Sequence, residues 1–561
     1  MMKNKLIGKV LATEKVPTTM DTFCFWTQSN VKLNAFDVVK VSHLDNSFTY
    51  GVVEQISHIT DSNSFLNNFI SNDFGEPTTT APTLRLGMNY VKVAVTFNSQ
   101  GIYNPILNDS TVYLATAEEI TFALGLKEDE NSVVCGHIKM YEGSGEDEVV
   151  LPVPLNSKFL IGPEGAHLNI SGISGLAAKT SYAMFLLKAI QDYKKNESSE
   201  EKVAFVIFNV KGKDLMAINE SNDFEGNPKE KTKTLEEYET LKLSTEPFEN
   251  VKYYIPHTVR NLKKSTYLSE SEVNAYREEG KLNSFAYLYE EDKENIALMF
   301  SNIDDSTQTM DSIIDYISTN QEFGDIGSWE EFLDKVKEKT ESGQTGGSKE
   351  ITVASWRKFY RIINKAIRHD EMFATRLIDE KTTRLEDSLK QIKTNEVHVI
   401  DIAKLPEDKQ AFVFGDVVET ISNLQLGEYD ESGDIPQDRP DRIIVFIDEL
   451  NKYASKEVPK NSPILKRILD VAERGRSLGI VLFAAEQFRS AIHDRVTGNC
   501  STHAYGRTNS TEVAKGDYRH IPDTYKNMMT RLSQGEYIIQ NPTFRSLLKI
   551  KFPKPIYKQF K

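Results

Sequence analysis

The sequence predicts an α/β protein with a separate β domain in its N-terminal part. Four short apolar runs in the second part of the chain are almost continuous, which is typical of parallel strands covered on both faces; they occupy residues 203–208, 397–402, 443–447 and 480–484. A turn rich in Gly and Ser, at 171–181, lies between another apolar run and a helical pattern. Before residue 126 the runs alternate between apolar and polar residues, which indicates antiparallel strands.

The length and charge of the chain restrict its organisation and its partners. A chain of 561 residues is too long for one hydrophobic core, so we expect two or three domains. Its 67 basic and 82 acidic side chains give a formal net charge of −15, so any contact with DNA must be local, for example on the inner wall of a ring. The three cysteines are too far apart for a CxxC metal site.

Neither a signal peptide nor a membrane span is visible, because no apolar run reaches the required length. We therefore expect a cytoplasmic protein without a membrane partner.

Changes in sequence pattern suggest the domain boundaries. Alternating runs at 37–41, 51–56 and 90–95 predict a small antiparallel barrel or sandwich, and 128–150 is expected to connect it to the next domain. Between 261 and 395 helical signals replace the strands, including a capping-box pattern at Ser328 and Glu331. We predict a β-barrel with its connection at 1–150, an α/β core at 151–260 and 396–561, and an all-α insertion at 261–395.

The Gly/Ser-rich turn has the composition of a phosphate-binding loop. Such a loop needs small residues so that backbone N–H groups surround the phosphates at a helix N-terminus, followed by a lysine and a hydroxyl for Mg²⁺. Lys179 and Thr180 fit the last two roles, but Gly172 lies seven residues before Lys179 instead of six, and Ala178 replaces the second glycine. An ordinary turn before a surface helix is the alternative interpretation. The predicted nucleotide-binding residues are Gly172, Ser174, Gly175, Leu176, Ala177, Ala178, Lys179, Thr180 and Ser181.

The apolar run at 443–447 ends in two carboxylates, as in the Walker B strand of a P-loop ATPase. Asp448 is predicted to bind Mg²⁺ together with Thr180, and Glu449 to orient and deprotonate the attacking water. A strand end that carries two solvated acids is the alternative.

The segment 472–487 supplies further candidates. Gln487 follows the apolar run at 480–484, where a polar side chain can sense the γ-phosphate. Arg474 and Arg476 could act as arginine fingers on the nucleotide of a neighbouring subunit, or simply complement a helix dipole.

Taken together, the alternating N-terminal runs and the segments HLNISGISGLAAKTS, IIVFIDEL and ERGRSLGIVLFAAEQ resemble the HerA-type ATPases of the HerA/FtsK superfamily. The resemblance covers most of the chain except the helical insertion. It implies a β-barrel used in assembly, a RecA-like core, ATP and Mg²⁺ as ligands, and a homohexamer that translocates double-stranded DNA. One departure is Asn209, where the family usually has an aspartate.

The sequence is compatible with two uses of the ATP. A DNA translocase would hold the duplex through phosphate-directed cations such as Lys211, Lys213, Arg489 and Arg495, each of which could also be a plain surface charge. Proteins that resemble HerA also pair with nucleases, and in antiphage systems with nucleases or sirtuin-like NAD-consuming enzymes, so the ring could be a nucleotide-loaded scaffold for an effector. A monomeric small-molecule kinase would use the same loop but would need no arginine acting in trans.

Overall fold

The computed structural model describes residues 5–62, 64–71, 73–76, 78, 86–128, 130–173, 175, 178–196, 201–305, 308–341, 351–377, 379–429 and 438–560. The chain forms two compact units. One unit contains Met1–Asn156 and Arg507–Phe552, and the other contains Ser157–Gly506 and Pro553–Lys561. Among the described residues, no helix combines the length and the apolar content needed to cross a bilayer.

A closed antiparallel barrel makes up the N-terminal part of the first unit, as predicted. Its strands follow the order β1-β2-β5-β4-β3-β6. Their inward side chains, including Phe25, Val39, Val53 and Val93, are completely buried, which explains the alternation in the sequence. The elements are β1 (Leu6–Val10), β2 (Thr22–Thr27), β3 (Val38–Ser42), β4 (Phe48–Thr60), α1 (Phe65–Ser71), β5 (Gly87–Asn98), β6 (Thr111–Leu114) and α2 (Ala117–Leu124).

The stretch 128–150, expected to be only a connection, instead contains most of a β-hairpin. Strand β7 (Ser132–Met140) pairs antiparallel with β8 (Val149–Asn156), and the register shifts between Val134 and His137. Gly136 lies inside this irregularity, with φ +139°. The interruption breaks the alternation that would have marked the strand in the sequence.

A parallel sheet forms the centre of the second unit, which confirms the predicted α/β core. Its strands are β9 (Leu168–Ser171), β10 (Val203–Asn209), β11 (Val251–Pro256), β12 (Leu282–Phe285), β15 (Thr382–Thr383), β16 (Val397–Asp401), β17 (Arg442–Asp448), β18 (Ile480–Glu486) and β19 (Thr502–Tyr505). The order is β15-β12-β11-β16-β10-β17-β18-β9-β19. The four apolar runs are therefore β10, β16, β17 and β18, which lie side by side in the sheet.

Helices cover this sheet, and they are the main elements in the described part of the stretch 261–395. Two short strands of that stretch, β12 and β15, nevertheless join the sheet, and another pair, β13 (Tyr287–Leu288) and β14 (Phe373–Ala374), forms beside it, so the insertion is not entirely helical. The helices are α3 (Lys179–Asn196), α4 (Pro228–Thr240), α5 (Leu262–Ser265), α6 (Glu270–Glu278), α7 (Tyr289–Asp292), α8 (Thr309–Thr319), α9 (Trp329–Glu338), α10 (Val353–Ile367), α11 (Leu385–Lys390), α12 (Glu407–Leu426), α13 (Asn451–Ala454), α14 (Pro463–Leu478) and α15 (Asp494–Asn499).

The chain then returns to the first unit with α16 (Ser510–Val513), α17 (Asp523–Met529), β20 (Glu536–Gln540) and β21 (Leu548–Lys551). Strand β21 pairs with β20 and with β7, both antiparallel.

Candidate nucleotide site

The phosphate loop connects β9 to α3 at the carboxyl edge of the parallel sheet. Strands β17 and β9 both pair with β18, so that Asp448 lies opposite Ala485 and Ser171 lies opposite Glu486. Because parallel strands end at the same edge, the loop and the Walker B strand end close together. Gly172, the first loop residue, donates its N–H to the Glu486 carbonyl at 3.1 Å.

The loop joins α3 through a left-handed residue, Ala178. Ala178 stands where the usual motif has a glycine, and its φ of +51° lies in the left-handed region that favours glycine. Gly175 has φ +81°, and a side chain there would meet no atom within 4 Å. Ser174, Leu176 and Ala177 lie outside the described residues.

The side chains predicted to contact phosphate and metal come together at the start of α3. Lys179 is buried, and its Nζ donates to the Gly172 carbonyl at 3.0 Å. Thr180 Oγ1 donates to Asp448 Oδ2 at 2.7 Å, across 268 residues of sequence. The described residues of a candidate P-loop nucleotide site therefore lie together.

The donor set at this site fits Mg²⁺. A hydroxyl and a carboxylate supply oxygen, which Mg²⁺ prefers, and the ion usually takes its other ligands from phosphate and water. Within the described residues there is no group of three or more His, Cys, Asp or Glu side chains that could hold a metal. Thr180 and Asp448 would supply two oxygen ligands to a Mg²⁺ ion that is also bound by a nucleotide.

Glu449 follows Asp448 in a left-handed conformation, with φ +57°. Its N–H donates to Asp448 Oδ1 at 2.8 Å, and its Oε2 lies 2.8 Å from Lys452 Nζ. Partial burial raises its pKa, but the bond to Lys452 and the charges of Lys452, Lys211 and Lys179 outweigh burial, so the net pKa lies below its ordinary value. The carboxylate is thus ionised at neutral pH and can accept a proton.

A cavity of about 270 Å³ lies beside the phosphate loop and Asp448. Its walls include 178–181, Asp448, Lys211, Asp214 and the side chains of 557, 559 and 560. Burial raises the pKa of Asp214; Lys211 opposes this effect and Asp448 adds to it. Sequence reasoning missed Asp214 as a site residue and considered Lys211 only as a DNA contact.

Comparisons with known proteins give weak likenesses. No protein-family model matches the chain, and no curated protein sequence matches it. It is similar to the bacterial conjugative coupling protein TrwB at 12% identity (78% of this chain, 92% of that one, TM-score 0.37), and to VirB4 of Thermoanaerobacter pseudethanolicus at 12% identity (76% and 97%, TM-score 0.41). The genome packaging NTPase B204 of Sulfolobus turreted icosahedral virus 2, solved with AMPPCP, matches at 16% identity (30% and 70%, TM-score 0.22).

Glu486 is a further site residue that sequence reasoning missed. It ends β18 completely buried, and Asn169 Nδ2 donates to its Oε1 at 2.6 Å, while its Oε2 has no hydrogen-bond partner among the described residues. Burial raises its pKa to about 8, although Asn169, Arg489 and Lys179 lower it. The signal in the sequence is an acid that ends an otherwise apolar strand. The residue predicted from the sequence, the neighbouring Gln487, is exposed.

Three of the cations considered for DNA contact have protein partners here. Arg489 Nη1 lies 3.2 Å from Asn169 Oδ1 and 2.7 Å from His503 Nδ1, so Arg489 supports the base of the phosphate loop. Lys213 pairs with Glu272 at 2.8 Å, and Arg495 Nη2 donates to Glu473 at 2.6 Å.

The two predicted arginine fingers lie near the end of α14. Arg474 is largely exposed and pairs with Asp470 at 3.1 Å, while Arg476 Nη1 donates to the Glu164 carbonyl at 3.1 Å. Neither arginine is among the described residues that line the cavity of its own chain.

Asn209 ends β10 and replaces the aspartate expected from the resemblance. Its Nδ2 donates to Asp401 Oδ1 and to the Gly212 carbonyl, both at 2.9 Å. Burial raises the Asp401 pKa to about 6, against the lowering effect of Thr266 and Asn209. An aspartate at 209 would place two carboxylates in contact in a buried site, so the amide is the better partner for Asp401.

Proposed function

We propose that this protein is an ATP-hydrolysing motor of the HerA type, which forms a homohexameric ring, translocates double-stranded DNA and works with a partner effector enzyme. The observation that carries the proposal is the Thr180–Asp448 hydrogen bond beside Lys179, with the ionised Glu449 next in sequence. Phosphate binding, metal binding and water activation need these groups at one place.

In the proposed reaction, Lys179 exchanges the Gly172 carbonyl for the β- and γ-phosphates of ATP. Thr180 and Asp448 would hold Mg²⁺, which would supply positive charge to the phosphate oxygens when bound. Glu449 leaves Lys452, orients the attacking water and takes its proton. Gln487 contacts the γ-phosphate, and Arg474 or Arg476 reaches the nucleotide of the neighbouring protomer, where a guanidinium stabilises transition-state charge.

The second candidate function is a nucleotide-loaded scaffold that assembles a nuclease or a sirtuin-like NAD-consuming enzyme. A specific surface favours protein docking. Four apolar residues between β4 and β5 are exposed to solvent, with these exposed fractions: Phe65 (98%), Leu66 (64%), Phe74 (70%) and Leu86 (77%). Exposed apolar groups of this kind commonly mark protein interaction sites. A scaffold of this type would need nucleotide binding but little translocation.

Steady-state ATP hydrolysis distinguishes these functions when it is measured with and without linear duplex DNA, at two salt concentrations, alongside a mass determination. The motor predicts a particle of six chains whose turnover is stimulated by DNA, and stimulation that fades at high salt because phosphate contacts are screened. A hexamer with weak hydrolysis that ignores DNA would favour the scaffold. An active monomer would instead favour a small-molecule kinase.

A further inference from the structure

The segment 553–560 forms a second wall of the phosphate cavity. It belongs to the same compact unit as the phosphate loop. Its backbone is fixed along 220–222, because the Asn222 N–H donates to the Ile556 carbonyl at 2.8 Å and the Lys558 N–H donates to the Glu220 carbonyl at 2.8 Å. Asn222 Nδ2 also donates to the Pro555 carbonyl at 2.7 Å. The segment is therefore built into the fold at this point.

Tyr557 places the segment beside the phosphate loop. Its side chain is buried, and it lines the cavity together with Ser181, the residue that follows Thr180. Gln559, two residues further along the segment, lines the same cavity.

Phe560 is held at the same cavity by two lysines. The Nζ of Lys213 lies 4.8 Å from the centroid of its ring and that of Lys558 lies 5.5 Å from it. Both lysines are themselves anchored, Lys213 by Glu272 at 2.8 Å and Lys558 by Glu220 at 2.6 Å. The aromatic ring therefore has a defined place beside the phosphate-binding groups.

The cavity is thus lined by two chemically different groups of side chains. Lys179, Thr180 and Asp448 present a cation, a hydroxyl and a carboxylate, which suit a metal-bound triphosphate. Gln559 and Phe560 present an amide and an aromatic face, which suit the edge and the face of a nucleobase. We propose that Gln559 and Phe560 contact the nucleoside part of the bound nucleotide and recognise its base. This inference rests on the proposed nucleotide-binding function.

Calorimetric titration of the full chain with ATP, with GTP and with inorganic tripolyphosphate tests the inference. Phe560→Leu keeps an apolar side chain but removes the ring, and should raise the Kd for ATP about tenfold. It should leave the Kd for tripolyphosphate unchanged, because that ligand has no base. Gln559→Ala should reduce the discrimination between ATP and GTP. Lys554→Ala, in the same segment but paired with Glu230, is the matched control and should change neither Kd.

Besides unchanged binding by both variants, two results would overturn the inference. Tighter ATP binding by Phe560→Leu would mean that the segment blocks the site, and an equal change for ATP and tripolyphosphate would mean that it only supports the loop. Lys179→Ala separates this failure from failure of the proposed function. If Lys179→Ala binds ATP as well as the parent chain, the nucleotide site itself is wrong; if it does not, while Phe560→Leu and Gln559→Ala behave as the parent, only the base contact is wrong.

Discussion

Replacing Glu486 with glutamine should change how the stability of the second unit depends on pH. The Glu486 carboxyl is buried and carries a pKa of about 8 against an ordinary value of 4.5. The folded chain therefore keeps this proton in a pH range where the unfolded chain has lost it. Between pH 4.5 and pH 8 the unfolded state binds fewer protons than the folded state. The contribution of Glu486 to the free energy of unfolding is therefore fully present at low pH and is lost as the pH rises through this window.

The size of the effect follows from the pKa shift. Each pH unit inside the window costs up to about 1.4 kcal/mol. Raising the pH from about 5.5 to about 9 should then lower the free energy of unfolding by roughly 3 kcal/mol through Glu486 alone. Glu486→Gln keeps the acceptor for Asn169 but does not titrate, so it should lack this loss.

The assay compares the unfolding temperatures of the parent chain and Glu486→Gln at both pH values. The unfolding temperature of the variant, relative to that of the parent, should increase as the pH rises, because only the parent has a buried acid at position 486 that must ionise. Glu278→Gln, which alters an exposed side chain on α6, serves as the control and should track the parent. A constant difference between Glu486→Gln and the parent at the two pH values would refute the reasoning.

Further predictions concern the phosphate loop and α14. Lys179→Ala should abolish ATP binding in a titration, since it removes the cation for the phosphates; retained affinity would count against the site. Glu449→Gln should bind ATP normally but hydrolyse it about 10²- to 10⁴-fold more slowly, and normal turnover would remove Glu449 from the mechanism. Ala178→Gly should remove the cost of about 1 kcal/mol that an alanine pays for a left-handed backbone, and should lower the Kd for ATP a few-fold. Weaker binding would contradict this prediction. Gly475→Ala should destabilise the chain by about 1–3 kcal/mol in thermal unfolding, because the added methyl group would lie 2.6 Å from a backbone oxygen of β18. Gly498→Ala is the control and should have a small effect, because a methyl group there would meet no atom within 4 Å. Equal losses of stability in the two variants would show that the contact with β18 does not matter.

Long apolar patterns were enough to predict the main elements of the fold. The strands β10, β16, β17 and β18 are covered on both faces, and this burial leaves a continuous apolar run in the sequence. Strands β12 and β15 were missed because they are only four and two residues long, too short for a pattern to emerge. The hairpin β7–β8 was missed because its register shift interrupts the alternation.

The site divides in a similar way. Lys179, Thr180 and Asp448 belong to local motifs, so their residue types and spacing were sufficient to predict that they meet. Glu486 lies against the phosphate loop only through the parallel pairing of β18 with β9, more than 300 residues apart in sequence. Phe560 lines the cavity because its segment runs along 220–222, another long-range pairing that local sequence does not specify.

Displacement of a third strand from a DNA triplex is the most direct test of the proposed motor. The parent chain, given ATP and Mg²⁺, should strip the third strand from a linear duplex, because a translocating ring pushes ahead of itself whatever is bound to the duplex. Glu449→Gln, which should bind ATP without hydrolysing it, should leave the triplex intact. ATP hydrolysis by the parent that never displaces the strand at low salt would contradict translocation and leave the scaffold as the better account.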